Sequence, residues 1–316
     1  MKKWLKRILY FSVFLFILLN IICASQAYKL THVYDRGTEP KGAAKAMGFF
    51  SVAKTIILGQ DNYKLALKDK PKQLAETIEL TTSDGLKLEG WDVEQKNAIG
   101  TVILFHGHGG NRVGVLNEAE AFYNLRYNVV MVDFRAHGNS SGNSSSIGYL
   151  ESADVKAAYD FVSKSGEKNI ILYGISLGAA SITKAMHDYA AIQPKKIIIE
   201  MPFATLQDAV KGRLKMMNVP GQPFATLLTF WGGIEQGFWA FNNKPEEFVK
   251  SINVPVLMQW GKQDTRVSEP ETNSVFANLA SKDKSLVIYE NSGHQSLCTN
   301  EEGKWLSTVI AFLNKK

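Results

Sequence analysis

The residues best equipped for chemistry in this chain are a serine framed by glycines, Gly174-Ile175-Ser176-Leu177-Gly178, and two later residues, Asp264 and His294. A serine hydroxyl is a weak nucleophile near neutral pH. It becomes effective when an imidazole takes its proton and a carboxylate orients that imidazole. Such a set carries out acyl transfer through a covalent intermediate. A glycine-x-serine-x-glycine pentapeptide alone is a common coincidence, so its surroundings decide what it means. Here the apolar run Asn169–Tyr173 leads directly into it, and a helical run, Ala179–Ala190, follows. A serine in a sharp strand-to-helix turn takes strained backbone angles, and glycines two residues away on either side relieve the crowding. The turn also sets Ser176 at a helix N-terminus, where the dipole and free N–H groups favour developing negative charge.

The partners follow in the order acid, then histidine. Gly261-Lys262-Gln263-Asp264 follows the apolar run Val254–Trp260, and Glu290-Asn291-Ser292-Gly293-His294 follows Ser285–Tyr289. His294 is the only histidine beyond position 187, whereas Glu269 and Asp283 compete with Asp264 by proximity without directly following the penultimate strand. Thr101–Phe105 ends in His106-Gly107-His108-Gly109-Gly110-Asn111, whose glycines allow close backbone approach. That loop suits an oxyanion hole built from the backbone N–H groups of His108 and Leu177. His106-x-His108 also has the spacing of a metal pair, but no carboxylate or histidine cluster downstream supports one. The chemistry needs no metal and no organic cofactor. Asp133 precedes Ser176 in the chain and reads as a brace for its own loop. Cys298 lacks an elbow of small residues and reads as a bystander.

These residues must be held by elements, and the chain supplies them in alternation. Glu76–Thr82 and Leu86–Asp92 form a hairpin pattern around Ser83-Asp84-Gly85. Compact apolar runs follow at Thr101–Phe105, Asn128–Val132, Asn169–Tyr173, Lys196–Ile199, Val254–Trp260 and Ser285–Tyr289, with helical patterns such as Ser152–Ser163 between them. Near-continuous apolar strands are those covered on both faces, so the expected fold is α/β, a mostly parallel central sheet with helices on both faces. The stretch Met201–Asn253 is too long for a simple crossover and reads as a small helical cap, an insertion at about 203–250. Its aromatic segment Phe224–Phe241 either lines an apolar pocket or packs on the core. Residues 139–146 read as a solvated polar loop, and Gly42–Leu67 as part of a helical lead-in over 29–74.

The net charge of +6 includes Lys2, Lys3, Lys6 and Arg7, which leaves 6 − 4 = +2 for the rest of the 316 residues. No basic stripe remains for a nucleic-acid partner. The basic cluster leads into an uncharged apolar run from Ile8 to about Ala27. Residues 1–28 are therefore a signal peptide or a transmembrane anchor. Ser25-Gln26-Ala27 approximates a cleavage site. The length favours retention, since about 20 apolar residues cross a bilayer. Either way the basic flank sends the remaining chain outward. Cys23 lacks the small residues before it that a lipid-attachment site requires.

In combination, His106–Asn111, Asp133–Gly142, Gly174–Gly178, Gly261–Asp264 and Ser292–His294 resemble the α/β-hydrolase superfamily. More narrowly, they resemble bacterial membrane-associated serine hydrolases related to prolyl-oligopeptidase-like catalytic domains. The resemblance covers roughly residues 75–314, within a domain placed at 75–316. It implies an α/β-hydrolase fold with Ser176 as nucleophile, His294 as base and Asp264 as its orienter. Ala136 stands where many relatives carry glycine, which implies a stiffer loop there. Dehalogenase and epoxide-hydrolase chemistry is disfavoured, because those relatives use a carboxylate at the elbow. The implied function is hydrolysis of an ester or thioester of a small-molecule or acyl substrate. A peptidase acting on short peptides and a non-catalytic, membrane-tethered binding protein are the alternatives.

Overall fold

The computed structural model describes residues 3–35, 59 and 61–315. An uninterrupted helix α1, Lys3–Thr31, opens the chain. It is long and apolar enough to cross a membrane. The segment Ser25-Gln26-Ala27 lies within this helix, and Ala27 is buried against the rest of the protein.

Of the helical lead-in expected over 29–74, residues 29–31 end α1, residues 32–35, 59 and 61–74 are not helical, which corrects the expectation there, and residues 36–58 and 60 lie outside the described residues. Val33–Tyr34 (β1) pairs in parallel with Asn62–Tyr63 (β2), and residues 64–75 are not helical. The Asn111 side-chain amide donates to the Leu65 and Ala66 carbonyls at 3.2 Å, occupying acceptors that a helix would use.

The main sheet has eight strands in the order β10-β9-β8-β7-β5-β6-β4-β3. In chain order these are β3 Glu76–Thr81, β4 Lys87–Val93, β5 Thr101–Phe105, β6 Asn128–Val132, β7 Ile170–Ile175, β8 Lys196–Glu200, β9 Val256–Gly261 and β10 Lys284–Tyr289. β3 and β4 form the antiparallel opening hairpin, β4 pairs antiparallel with β6, and β5 to β10 are parallel. Every residue of β5, β7 and β9 is buried, as strands covered on both faces must be. Two apolar cores result, one on each face of the sheet.

Helices α2 Leu116–Asn124, α3 Ser152–Lys164 and α4 Leu177–Asp188 connect the central strands. Between β8 and β9 lie α5 Leu206–Met216, α6 Phe224–Gln236 and the short α7 Pro245–Phe248, filling the cap interval. α8 Glu269–Asn278 joins β9 to β10; α9 Leu297–Asn300 and α10 Glu302–Asn314 follow β10. The chain leaves β5 toward β6 on one side and returns through β7 on the other. That reversal opens a crevice beyond the carboxyl ends of β5 and β7, the usual place for a site in such sheets.

Candidate active site

Ser176 sits in the turn between β7 and α4 with φ 52° and ψ −105°, a strained conformation for a residue with a side chain. Packing enforces it. A Cβ on Gly174 would lie 2.5 Å from the Gly178 carbonyl carbon, and one on Gly178 would lie 2.4 Å from the Phe105 carbonyl oxygen. Only glycine allows α4 to rest that closely on β5 and β7. The Ser176 N–H donates to the Glu200 carbonyl at 2.8 Å, tying the elbow to the end of β8.

His294 and Asp264 come from loops far apart in sequence, and the structure joins both to Ser176. His294 Nε2 is 3.0 Å from Ser176 Oγ, and His294 Nδ1 is 2.7 Å from Asp264 Oδ2. The other carboxylate oxygen, Oδ1, accepts the N–H groups of Arg266 at 2.7 Å and Val267 at 2.9 Å. Asp264 is thus fixed by its own turn, with its side chain fully covered. The two loops interlock because Gly261 packs on the Ser292 carbonyl, where a Cβ would be 2.4 Å away, and Gln263 N–H donates to the Ser292 carbonyl at 2.9 Å. Of the competing acids, Glu269 begins α8 and Asp283 pairs with Lys315; neither contacts His294.

The loop after β5 lies against the elbow, with a Cβ on Gly107 falling 3.8 Å from Ser176 Cβ. His108 and Leu177 both line the cavity that holds Ser176 and His294. Among the described residues, neither the His108 nor the Leu177 N–H donates to a backbone carbonyl outside regular elements or to a side chain. His106 is committed to the loop: its Nδ1 contacts the Gly107 carbonyl at 2.8 Å and its Nε2 accepts the Phe134 N–H at 3.2 Å. Burial, reinforced by the His137 ring, holds both His106 and His108 at about 3, so both are neutral.

Asp133 braces its loop. It is fully buried, accepts the Arg112 N–H at 2.7 Å and the Asn139 N–H at 3.0 Å, and pairs with the Arg112 guanidinium at 2.9 Å. Ala136 adopts φ 62°, a left-handed conformation that glycine takes more easily. The solvated loop expected at 139–146 is a correction: Ser140, Ser145 and Ser146 are buried. Glu151 gathers the last two through both hydroxyls, and Ser140 Oγ donates to the Asp133 carbonyl at 2.6 Å. Paired serines bury readily when an acid and free carbonyls satisfy them. Cys298 is buried, and burial pushes its thiol well above the usual range, so it is unreactive.

The cavity beside Ser176 has a volume of about 130 Å³ and a mainly apolar lining that includes Phe203, Leu206, Val210, Leu214, Leu228 and Phe238. The aromatic segment divides its roles: Phe238 lines the cavity, whereas Phe224 and Trp231 pack beside α1. Three contributions escaped the sequence. Ala27, Leu30 and Thr31 at the end of α1 line the cavity, as do Arg213 of α5 and Arg266. Among the described residues, the lining contains no carboxylate. The small residues Cys23, Ala24 and Ala27 late in the apolar run were the one available sign of a helix packed on protein. Beneath the elbow, Glu200 is buried and bonded to Trp305 Nε1 at 2.6 Å and Gln259 Nε2 at 3.0 Å.

Comparison with known proteins agrees with this architecture. Residues 96–231 match the family described as serine aminopeptidase, S33. The protein YfhR of Salmonella typhi is 33% identical over 240 residues, covering 70% of this chain and 74% of that protein. YqkD of Bacillus subtilis is 25% identical over 233 residues, covering 73% of this chain and 76% of its own. The solved structure of the Pyrococcus furiosus esterase Pf2001 superposes with a TM-score of 0.67 at 24% identity, covering 79% of this chain and 95% of that one. The chain belongs to the α/β-hydrolase superfamily and is a hydrolase.

Proposed function

We propose that the protein is a membrane-anchored serine hydrolase that cleaves carboxylic esters through an acyl-enzyme. The carrying observation is the continuous hydrogen-bond chain Ser176–His294–Asp264 at the wall of an apolar cavity. His294 Nε2 takes the Ser176 proton as Oγ attacks the ester carbonyl, and Asp264 holds the imidazole by its Nδ1–H and stabilises the cation that forms. The oxyanion is received by the N–H groups of Leu177 and His108, each such donor contributing roughly 2.7–4 kcal/mol. His294 returns the proton to the departing alcohol, then activates the water that releases the acid. Helix α1 is the anchor, and its basic N-terminal flank directs the catalytic domain to the extracytoplasmic side.

The aminopeptidase reading, favoured by the name of the matched family, meets an electrostatic objection. An aminopeptidase must hold a free ammonium group near the scissile bond. Among the described residues, this cavity is lined by Arg213 and Arg266 and by no carboxylate, which repels a cation. The non-catalytic reading leaves the His294–Asp264 pair without a purpose.

Labelling with a fluorophosphonate probe tests the proposal. Wild type should label, whereas Ser176→Ala and His294→Ala should not. Folded wild-type protein that fails to label would overturn it. A panel of p-nitrophenyl esters alongside aminoacyl anilides then separates esterase from peptidase, with esters expected as the substrates.

A further inference from the structure

Helix α1 does more than the span of a membrane requires. One stripe of it, Leu19, Cys23, Ala27 and Leu30, packs with Leu214 of α5 and with Ala225 and Leu228 of α6. Trp231 Nε1 donates to Asn20 Oδ1 at 3.1 Å. The end of α1 is tied down as well: the Thr31 carbonyl accepts the Ser145 N–H at 2.8 Å, and Val33 N–H donates to the Asn143 carbonyl at 2.8 Å. Ser146 and Ile147, next along that loop, line the same cavity as Leu30 and Thr31. The cavity that holds Ser176 is therefore closed on one side by the last turns of α1.

Length then fixes where the cavity lies relative to a bilayer. Lys6 and Arg7 mark one interface, and the uncharged run from Ile8 to Ala27 rises about 30 Å, the thickness of a hydrocarbon core. The portion free of the catalytic domain, Ile8–Leu18, rises only about 16 Å. To complete the crossing, the Leu19–Ala27 stretch must lie at hydrocarbon depth, and the cap helices packed on it come to the membrane surface. The exposed apolar residues agree. Beyond α1, eight large hydrophobics are exposed among the described residues, and four of them, Met216, Met217, Ile234 and Trp239, belong to the cap. Met216 and Met217 are 49% and 59% exposed yet also line the cavity, which places them at its opening.

We infer that this cavity is a lipid-acyl site, with the membrane helix as one wall and an opening to the bilayer at Met216 and Met217. This rests on Ser176 as nucleophile and α1 as a retained span. The substrate class is an acyl ester that resides in the membrane, whose chain lies along Leu30, Thr31, Leu214 and Leu228. A soluble short-chain ester would reach Ser176 without using that wall.

The experiment uses the full chain in phosphatidylcholine nanodiscs, with p-nitrophenyl acetate as the short ester and p-nitrophenyl palmitate, dissolved in the bilayer, as the long one. Leu30→Trp fills the wall side of the cavity and should lower the palmitate-to-acetate ratio of kcat/KM at least about tenfold. Leu30→Ala, which widens that wall, should shift the preferred chain length upward. Met217→Glu should selectively slow the bilayer-borne ester. Fluorophosphonate labelling of each variant reports an intact Ser176. Equal effects on both esters, or none, from variants that label normally would overturn the inference while leaving the nucleophile assignment standing. Failure of wild type to label or turn over either ester would instead remove the reading on which it rests.

Discussion

The carbonyl of Glu200 accepts the N–H of Ser176 at 2.8 Å, while the carboxyl of the same Glu200 is buried against Trp305 and Gln259. One residue thus fixes the elbow from above and carries a buried acid below it. Burial, with Glu118 nearby, pushes the Glu200 carboxyl up to about 8, so it is protonated at neutral pH. A pKa raised on folding means that the folded state binds the proton more tightly. The stability this contributes is complete below the ordinary value of 4.5 and is lost as pH rises through about 8. Thermal melts should therefore show a lower Tm at pH 9 than at pH 6. Glu200→Gln, neutral throughout, should flatten that decline, and an unchanged slope would rule Glu200 out as its source.

Asp264→Asn leaves the turn's shape available but removes the charge that faces the imidazole. We expect kcat to fall by about 10⁴-fold, as when a triad aspartate elsewhere is neutralised. The Tm should move little, because the Arg266 and Val267 N–H groups keep an acceptor. Steady-state kinetics on a soluble ester checks this, and a loss below tenfold would mean that another group orients His294.

Gly178→Ala tests whether the elbow is a packing necessity. The new methyl would meet the main chain of β5 at 2.4 Å, which cannot yield as a side-chain tip can. Overpacking of this kind costs about 1–3 kcal/mol or more and displaces Ser176. The expected result is a lower denaturation midpoint together with loss of fluorophosphonate labelling.

Arg213 and Arg266 lie close enough to repel each other, and both act on His108. With no acid among the described lining residues, the cavity should favour an anionic ester over a cationic one. The double variant Arg213→Gln, Arg266→Gln should lower kcat/KM for an ester with an anionic leaving group roughly threefold to tenfold. A neutral ester of the same chain length should change little. Added salt should erase the preference in wild type, because both side chains are exposed. Identical effects on both esters would show that the guanidiniums do not sense substrate charge.

Much of the hydrolase domain was legible in advance because its information is local. The strand Asn169–Tyr173, the flanking glycines and the following helix each specify their backbone within a few residues, so the elbow could be read directly. Asp264 and His294 were readable through the ends of apolar runs, since strands buried on both faces leave their chemistry to the loops. The polar composition of 139–146 does not reveal that Ser145 and Ser146 are buried, because their burial depends on Glu151 satisfying their hydroxyls. The residues around Leu65 and Ala66 are not helical, against the sequence expectation, because Asn111, distant in sequence, takes their carbonyls.

By itself, then, the chain determined the parallel sheet, the elbow at Ser176 and the order of its partners, because strand patterning and turn chemistry are short-range. Only the tertiary structure decided that Asp264, His294 and Ser176 meet at hydrogen-bond distance, and that Ala27, Leu30 and Thr31 of an apolar helix become a wall of the cavity. The physical reason is that an apolar helix face is satisfied equally by lipid or by protein. Which of the two covers Leu19, Cys23 and Ala27 depends on the cap, more than 180 residues further along the chain.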